Sequence, residues 1–236
     1  LHVYGFIALA LLAASSGPHF KAGNIGAMAL VSWFVITILI DLVNAIAYFN
    51  TYEDRTPGWC DIAVKFMSAQ QTGFSSACLC INRRLASISS SKRVDGASQS
   101  KQLVFWTDFG IVSVPPILVM IISYCVQAHR YNVFENSGCS PAVWWEVYAV
   151  LGLLVPPLIL GVASLGYGVL SIYNFTSQRR RFQTLLRGSS LNGSRFFRLL
   201  AVSAIDMLLS VPFGIQILVS QVRHLQPTYS WADVHY

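Results

Sequence analysis

Long apolar stretches alternate with short polar connections along most of this chain. A helix of about 20 apolar residues crosses the hydrocarbon of a bilayer, and five of the stretches reach that length. The first is shorter, so we expect a fragment whose first helix needs upstream residues. The pattern predicts an all-α membrane protein, a single transmembrane bundle over residues 1–236 with about six spans. Their approximate ranges are 1–14, 25–49, 59–81, 103–126, 143–173 and 197–222.

Polar residues and prolines distinguish some spans from plain apolar helices. The third span is the least apolar, with Lys65, Gln70 and Gln71 among its polar residues. Because polar groups are costly to expose to lipid, this helix is expected to lie at the centre of the bundle. Prolines in the last three spans predict kinks, since each removes a backbone donor. Pro212 in the sixth span is a candidate hinge, and a static bend is the alternative.

Positive charge is concentrated in alternate connections. If the first span ends at the cytosol, the inner connections and the adjoining span ends hold twelve of the sixteen basic residues. These twelve are Lys21, Arg83, Arg84, Lys92, Arg93, Lys101, Arg179, Arg180, Arg181, Arg187, Arg195 and Arg198. Cytosolic loops carry an excess of Lys and Arg, so the amino end is predicted to lie outside.

Composition argues against several other classes of protein. Hydrophobic residues make up 54% of the chain and charged residues 11%, and the mean hydropathy is +0.54, which is far from a soluble domain. The net charge of +6 does not predict nucleic-acid binding, because the basic residues cluster at inner span ends. We find no histidine cluster, paired carboxylates at ligand spacing or nucleophile signature, so neither catalysis nor a cofactor or metal is expected.

Three polar residues inside predicted spans are candidates for function. Asp41 and Asn44 lie in the second span, and Asp206 lies in the sixth. A charge near the bilayer centre costs roughly 2.5 to 3.5 kcal/mol on insertion scales, so these side chains are expected to face the bundle interior and have partners. One alternative function is therefore a transporter or channel that uses Asp41 and Asp206. Another reading of Asp206 is simple pairing with Arg198 or inner water.

Two cysteines are expected on the outer side. Cys60 begins the third span and Cys139 lies in the connection before the fifth, so both are in the oxidising compartment. A disulfide between them is predicted to hold that connection over the mouth of the bundle, with Cys125 as the competing partner. Cys78 and Cys80 are two residues apart, point to different helix faces and make a poor metal pair.

The inner end of the third span, residues 78–85, reads CLCINRRL. A polar residue followed by arginine at this depth can bind neighbouring inner helix ends at rest and be released when they separate. The alternative is the ordinary excess of positive charge at a cytosolic span end, which physical reasoning alone favours.

Three segments together resemble the fungal a-factor-type mating pheromone receptors, the lipopeptide branch of the class D G-protein-coupled receptors. They are residues 58–62 (GWCDI), 81–85 (INRRL) and 127–141 (QAHRYNVFENSGCSP). The last is the most specific, with its arginine-aromatic pair, glutamate and Gly-Cys-x-Pro ending, and Pro156 and Pro157 follow at a family-like distance. The resemblance covers almost the whole chain, although a seventh helix and a cytosolic tail would be missing.

The resemblance implies a seven-helix receptor in the plasma membrane, surrounded by lipid. It would bind a secreted farnesylated peptide pheromone and activate a heterotrimeric G protein by helix rearrangement. Candidate ligand-binding residues border the predicted mouth, where aromatic side chains are alternatively membrane anchors. They are Tyr48, Trp59, Lys65, Arg130, Glu135, Trp144 and Trp145. The G-protein-coupling residues would be Asn82, Arg83, Arg84, Arg179, Arg180 and Arg181.

Overall fold

The protein is mostly helical. The computed structural model describes residues 2–21, 23–53, 55–89, 101–177 and 193–223. In these ranges the elements are α1 (His2–Lys21), α2 (Ile25–Ala47), α3 (Pro57–Ser89), α4 (Lys101–Cys125), β1 (Asn132–Phe134), β2 (Gly138–Ser140), α5 (147–177) and α6 (Gly193–Arg223). Helix α5 consists of an α-helical turn (Val147–Ala149), a π-helical turn (Val150–Leu154) and a longer α-helix (Val155–Ser177).

Local sequence signals explain where two of the helices begin. Asn24 precedes α2, and its side-chain oxygen accepts a hydrogen bond from the backbone N–H of Ala27, which satisfies one donor of the first turn. Helix α3 begins with Pro57, whose fixed φ suits the first helical position and whose missing N–H costs nothing there. Both starts therefore follow from the physical chemistry of single residues.

Three helices in the described ranges are long and apolar enough to cross a membrane. They are Ile25–Ala47, Gln102–Cys125 and Val147–Asn174. The apolar part of α1, Tyr4–Ala14, is shorter. Spanning by α1, α3 and α6 therefore stays a prediction from the sequence, and so does the total of six spans.

Helix α4 has a polar group inside and an apolar surface outside. Its buried positions, three or four residues apart, include Asp108, Val112, Val119 and Ser123. The exposed positions include Phe105, Trp106, Phe109, Ile117, Leu118 and Ile121. Exposure of such a surface to water is unfavourable and exposure to hydrocarbon is not, so this pattern indicates that the exposed side of α4 faces lipid.

Helix α3 lies at the centre of the described helices, as its polar character predicts. It contacts α2, α4, α5, α6 and β2. In its carboxyl-terminal half Ala77, Cys78, Ile81 and Leu85 pack against Ala27 and other residues of α2 in one buried cluster. A second cluster joins α3, α4 and α5, and a third surrounds Cys60 beneath the β-strands.

The π-helical turn of α5 stands directly before Pro156 and Pro157. These prolines have no N–H to donate to the carbonyls one turn earlier, those of Gly152 and Leu153, which lie in the π-helical turn. The sequence predicts an irregularity here, and the structure shows its form as a wider turn. Pro115 and Pro116 lie inside α4, and Pro212 lies inside α6.

The two strands form an antiparallel hairpin between α4 and α5. We call residues 132–140 the outer hairpin, after the side of the membrane that the sequence predicts for it, and in it Val133 pairs with Cys139. At its turn Asn136 and Gly138 adopt positive φ angles of 61° and 72°. An added Cβ at Gly138 would lie 2.7 Å from the Cβ of Asn44, so glycine is required both by the backbone and by the close approach to α2.

Candidate functional site

The outer hairpin is fastened to the first turn of α3. Cys139 of β2 and Cys60 of α3, which the sequence predicts to pair, form a disulfide with their Cα atoms 5.4 Å apart. Cys125, the competing partner, is exposed and lies outside this bond. The disulfide closes a loop of 79 residues and joins the connection before α5 to the centre of the bundle.

Asn44 joins α2, α3 and the outer hairpin through one buried amide. Its oxygen accepts a hydrogen bond from the indole Nε1 of Trp59 over 2.9 Å, and its nitrogen donates to the backbone carbonyl of Cys139 over 3.4 Å. Because both the donor and the acceptor of the amide are used, the polar group is satisfied in the interior. Trp59, a candidate ligand contact, therefore also connects two helices.

Tyr48 is fully buried at the end of α2. Its hydroxyl lies 3.1 Å from Thr56 Oγ1 and 3.0 Å from the Cys60 sulfur, and its carbonyl accepts a hydrogen bond from Asn136 of the hairpin. The contacts of Tyr48 in this conformation are thus structural ones. Its contact with a ligand stays a prediction.

Two cationic side chains connect the chain before the hairpin to the outer part of α3. Arg130 donates to both carboxylate oxygens of Asp61, with Nε 2.7 Å from Oδ1, in an exposed bidentate pair. Lys65, one turn further along α3, donates to Gln127 Oε1 over 2.9 Å and lies 5.1 Å from the centre of the Tyr124 ring. The outer mouth therefore presents a polar rim with positive groups.

The remaining candidate ligand residues differ in their placement. Glu135 is exposed at the turn of the outer hairpin. Trp145 lines a cavity of about 350 Å³ beneath the hairpin. Trp144 is half-buried and donates its backbone N–H to the carbonyl of Val126. The outer hairpin, the polar rim and the cavity thus bring most of these residues to one end of the bundle.

At the opposite end of α3, Arg83 and Arg84 meet Asp108 of α4, and we call these three residues the inner ion-pair cluster, after the side of the membrane that the sequence predicts for them. Arg83 donates to one oxygen of Asp108, and Arg84 Nε donates to the other over 2.8 Å. The carboxylate is fully buried, whereas each arginine side chain is about a third exposed. Two guanidinium groups offset the cost of removing one carboxylate from water.

The same end of α3 is bonded to two further parts of the chain. Asn82 donates to the Oγ and the carbonyl oxygen of Ser164 in α5, over 2.9 and 3.2 Å. Arg84 also donates to the carbonyl of Gly23, between α1 and α2. Residues 82–84, which the sequence singles out, thus connect α3 to α4, α5 and the first connection.

The structure corrects the prediction that Asp41 faces the bundle interior. Asp41 is exposed and does not face the interior, because the buried stripe of α2 runs through Ile40, Asn44 and Tyr48. Asp41 is rotated by roughly 100° from Ile40 and lies beside that stripe.

Asp108 is not among the candidates predicted from the sequence. It is also an acid within an apolar stretch, and the same rule about intramembrane charges would have found it.

Some candidates lie outside what the structure describes. These are Arg179, Arg180 and Arg181 and the side chain of Asp206. Pro212 lies within α6 and is exposed, and its role as a hinge stays a prediction.

Comparison with known proteins adds independent evidence. The family model described as STE3, pheromone A receptor, matches residues 1–236. The pheromone B alpha 1 receptor of Schizophyllum commune is 31% identical over 92% of this chain and 35% of its own length. Pheromone receptor 1 of Ustilago hordei is 32% identical over 99% of this chain and 67% of its own length. The pheromone a factor receptor of Saccharomyces cerevisiae is 28% identical, with 97% of this chain and 50% of that protein covered. The chain therefore spans about a third to two thirds of the length of these relatives.

Proposed function

Because this chain belongs to the STE3 pheromone A receptor family, we propose that it is a G-protein-coupled receptor for a secreted farnesylated peptide pheromone. We further propose that residues 1–236 form one bundle with six spans in the plasma membrane and that the amino end lies outside. The relatives are named as receptors, and the proposal includes no enzymatic activity.

The observation that carries the proposal is that one helix is bonded at both ends to elements suited to signalling. Near its beginning α3 holds the outer hairpin through Cys60, and near its end it holds Asp108 through Arg83 and Arg84. Residues 60 and 83 are separated by roughly 35 Å along an α-helix, about the thickness of a bilayer. A displacement of α3 by an outer ligand would therefore act directly on the inner ion-pair cluster.

Activation in this proposal is a shift between two arrangements of the helices. An agonist favours the arrangement that it binds more tightly, and only this difference in affinity moves the equilibrium. In the arrangement described, the guanidinium groups of Arg83 and Arg84 both form ion pairs with Asp108. Separation of α3 from α4 would release both groups. Together with Asn82 and Arg179, Arg180 and Arg181, they would form a polar, cationic surface for the G protein.

The outer end supports recognition of a ligand with both peptide and apolar parts. Arg130 and Glu135 are exposed and charged, so they are suited to peptide groups. Lys65 lies at the polar rim, and Trp145 lines the cavity beneath it. Trp59, Trp144 and Tyr48 are proposed to contribute through the shape of this region.

The proposal is tested by expressing the natural full-length chain in a pheromone-responsive reporter cell. Cells displaying the protein are challenged with candidate pheromone peptides in farnesylated and unfarnesylated forms. We expect a dose-dependent response to a farnesylated peptide and a much weaker one to its unfarnesylated form. Robust surface display without a response to either form of any candidate would overturn the proposal.

A second experiment addresses the inner surface. The triple substitution Arg179→Ala, Arg180→Ala and Arg181→Ala is expected to preserve pheromone binding and to weaken G-protein activation. The control is Arg55→Ala, which removes an exposed positive charge before α3. Equal signalling by the triple variant and the wild type at matched surface display would remove these arginines from the proposal.

The alternative function predicted from Asp41 and Asp206 is a transporter or channel. Its support is reduced because Asp41 is exposed and lies outside the buried stripe of α2. We therefore propose neither a transporter nor a channel.

A further inference from the structure

An apolar cavity of about 350 Å³ lies beneath the polar rim. It is bounded by α3, by the chain between the outer hairpin and α5, and by α5 and α6. Leu153, Leu158, Phe213 and Ile217 are among its lining residues, and none of the described lining residues is charged. The hydroxyl of Ser68 on its wall donates to the Val64 carbonyl of its own helix, so its proton needs no hydrogen-bond acceptor in the cavity.

The volume of the cavity suits a single apolar chain. A cavity of about 150 Å³ holds one benzene ring, so this space is sufficient for roughly a dozen carbon atoms or slightly more. It also lies within the range of pockets that bind small molecules, about 300 to 1,000 Å³. A full membrane lipid with two acyl chains would exceed it.

The surroundings of the cavity indicate where the polar part of a ligand with such a chain would lie and from which side the chain would enter. Lys65 lies three residues before Ser68 on α3, so the polar rim and the cavity wall occupy the same helix face. Phe213 on the opposite wall is 64% exposed, which places part of that wall at the surface that faces lipid. A ligand with an apolar chain and a polar peptide could therefore enter from the bilayer and leave its peptide at the rim.

We propose that this cavity binds the isoprenyl chain of the pheromone. The assignment rests on the proposed function and adds a location to it. The isoprenyl chain lies between α3, α5 and α6, in contact with Leu158 of α5 and Phe213 of α6. The peptide then lies toward Lys65 and Arg130. The occupant would change the separation of α5 and α6 from α3, which links its binding to the inner end of the bundle.

The test varies the length of the chain and the size of the cavity together. Peptides of one sequence carry geranyl, farnesyl or geranylgeranyl groups, which differ by one isoprene unit each. The variant Leu158→Phe narrows the cavity, and Leu158→Ala widens it. The matched controls are Leu118→Phe and Leu118→Ala, because Leu118 is exposed on the lipid-facing side of α4. Ser68→Leu is a second variant that narrows the cavity. Surface display is measured for every variant.

We expect Leu158→Phe and Ser68→Leu to lower the potency of the farnesylated peptide by about tenfold or more and to shift preference toward geranyl. Leu158→Ala should shift preference toward geranylgeranyl, and the Leu118 variants should keep the wild-type order. An unchanged order of preference in displayed Leu158 and Ser68 variants would overturn the assignment while leaving the receptor function intact. A wild-type protein that responds to none of the peptides would overturn both.

A photoreactive isoprenyl group on the peptide locates the binding site of the isoprenyl chain directly. Labelling is expected in the segments around Leu158 and Phe213, and unlabelled farnesylated peptide should prevent it. Labelling elsewhere, or labelling at these segments that excess farnesylated peptide does not reduce, would overturn the proposal.

Discussion

Asp108 of α4 is completely buried, and Arg84 of α3, which donates to it over 2.8 Å, remains 28% exposed. The two partners therefore differ in what they lose if the pair breaks. Arg84 would gain water or another partner at the surface, whereas Asp108, once Arg83 has also separated from it, would remain as an uncompensated charge inside the bundle. Breaking such a buried pair costs about 3 to 5 kcal/mol, so the described arrangement is held firmly by the acid on α4.

We predict that Asp108→Asn raises signalling in the absence of pheromone by several-fold. The amide removes the negative charge that holds Arg83 and Arg84, so the arrangement with free arginines becomes more populated. The measurement is basal reporter output at matched surface display. Asp61→Asn is the control, because it removes a carboxylate from the exposed pair at the outer end of the same helix. Wild-type basal output in the Asp108 variant would contradict the release of the arginines as the activating step.

The disulfide is predicted to contribute about 2 to 5 kcal/mol to stability, because it closes a loop of 79 residues. The double variant Cys60→Ser and Cys139→Ser should therefore unfold at a lower temperature in detergent. Addition of a reducing agent should lower the wild-type midpoint and leave that of the double variant unchanged. Cys125→Ser serves as the control, since Cys125 is exposed and outside the disulfide. A midpoint equal to the wild type in the double variant would show that the bond is dispensable.

Asn44→Ala is predicted to destabilise the outer end of the bundle. It leaves the partly buried Trp59 indole N–H and the buried Cys139 carbonyl without their shared partner, and a buried group left unsatisfied costs about 1 to 3 kcal/mol. Thermal unfolding with tryptophan fluorescence reports this change directly. Asp41→Asn on the exposed side of the same helix should change stability by less than about 0.5 kcal/mol. Equal effects of the two substitutions would contradict the bridging role of Asn44.

Gly138→Ala is predicted to reduce stability by at least about 1 to 2 kcal/mol, since alanine is strained at a φ of 72°. The new methyl group would also collide with Asn44. Surface display and the thermal midpoint should both fall. The matched change is Gly58→Ala at the start of α3, where an added Cβ has no atom within 4 Å. A Gly138 variant as stable as the Gly58 variant would mean that the hairpin does not dock on α2 as described.

Apolar length and turn chemistry predict the positions of the helices because both act locally. Pro57 and the apolar run that ends near Ala47 carry their structural information in their own segments. Asp41 shows the limit of this reasoning. Its spacing from Asn44 is compatible with a shared face, but the orientation of α2 depends on what packs against it. Only the arrangement of α3 and the outer hairpin decides that Ile40 and Tyr48 define the buried stripe.

In the inner ion-pair cluster the sequence predicts the two arginines but not their partner, because the partner depends on helix packing. Arg83 and Arg84 stand out because their segment is polar at the end of a span, and the sequence suggests that they bind neighbouring helices. Their partner Asp108 lies 24 residues after Arg84, among Phe105, Trp106 and Phe109. No local pattern joins the two segments, since their contact depends on the packing of α4 against α3. An acid within an apolar run is nevertheless a sufficient reason to expect a cationic partner.

The disulfide at Cys139 limits the movements available to α5. A short segment leads from this covalent attachment to Val147, so the outer end of α5 is tethered to α3 and is poorly able to slide along the bundle axis. The backbone below is less constrained, because the π-helical turn and the two prolines interrupt the regular hydrogen bonding there. Tilting about Leu154 is thus the easiest response of α5 to a force from within the bundle, and it would move the end of the helix at Ser177 furthest.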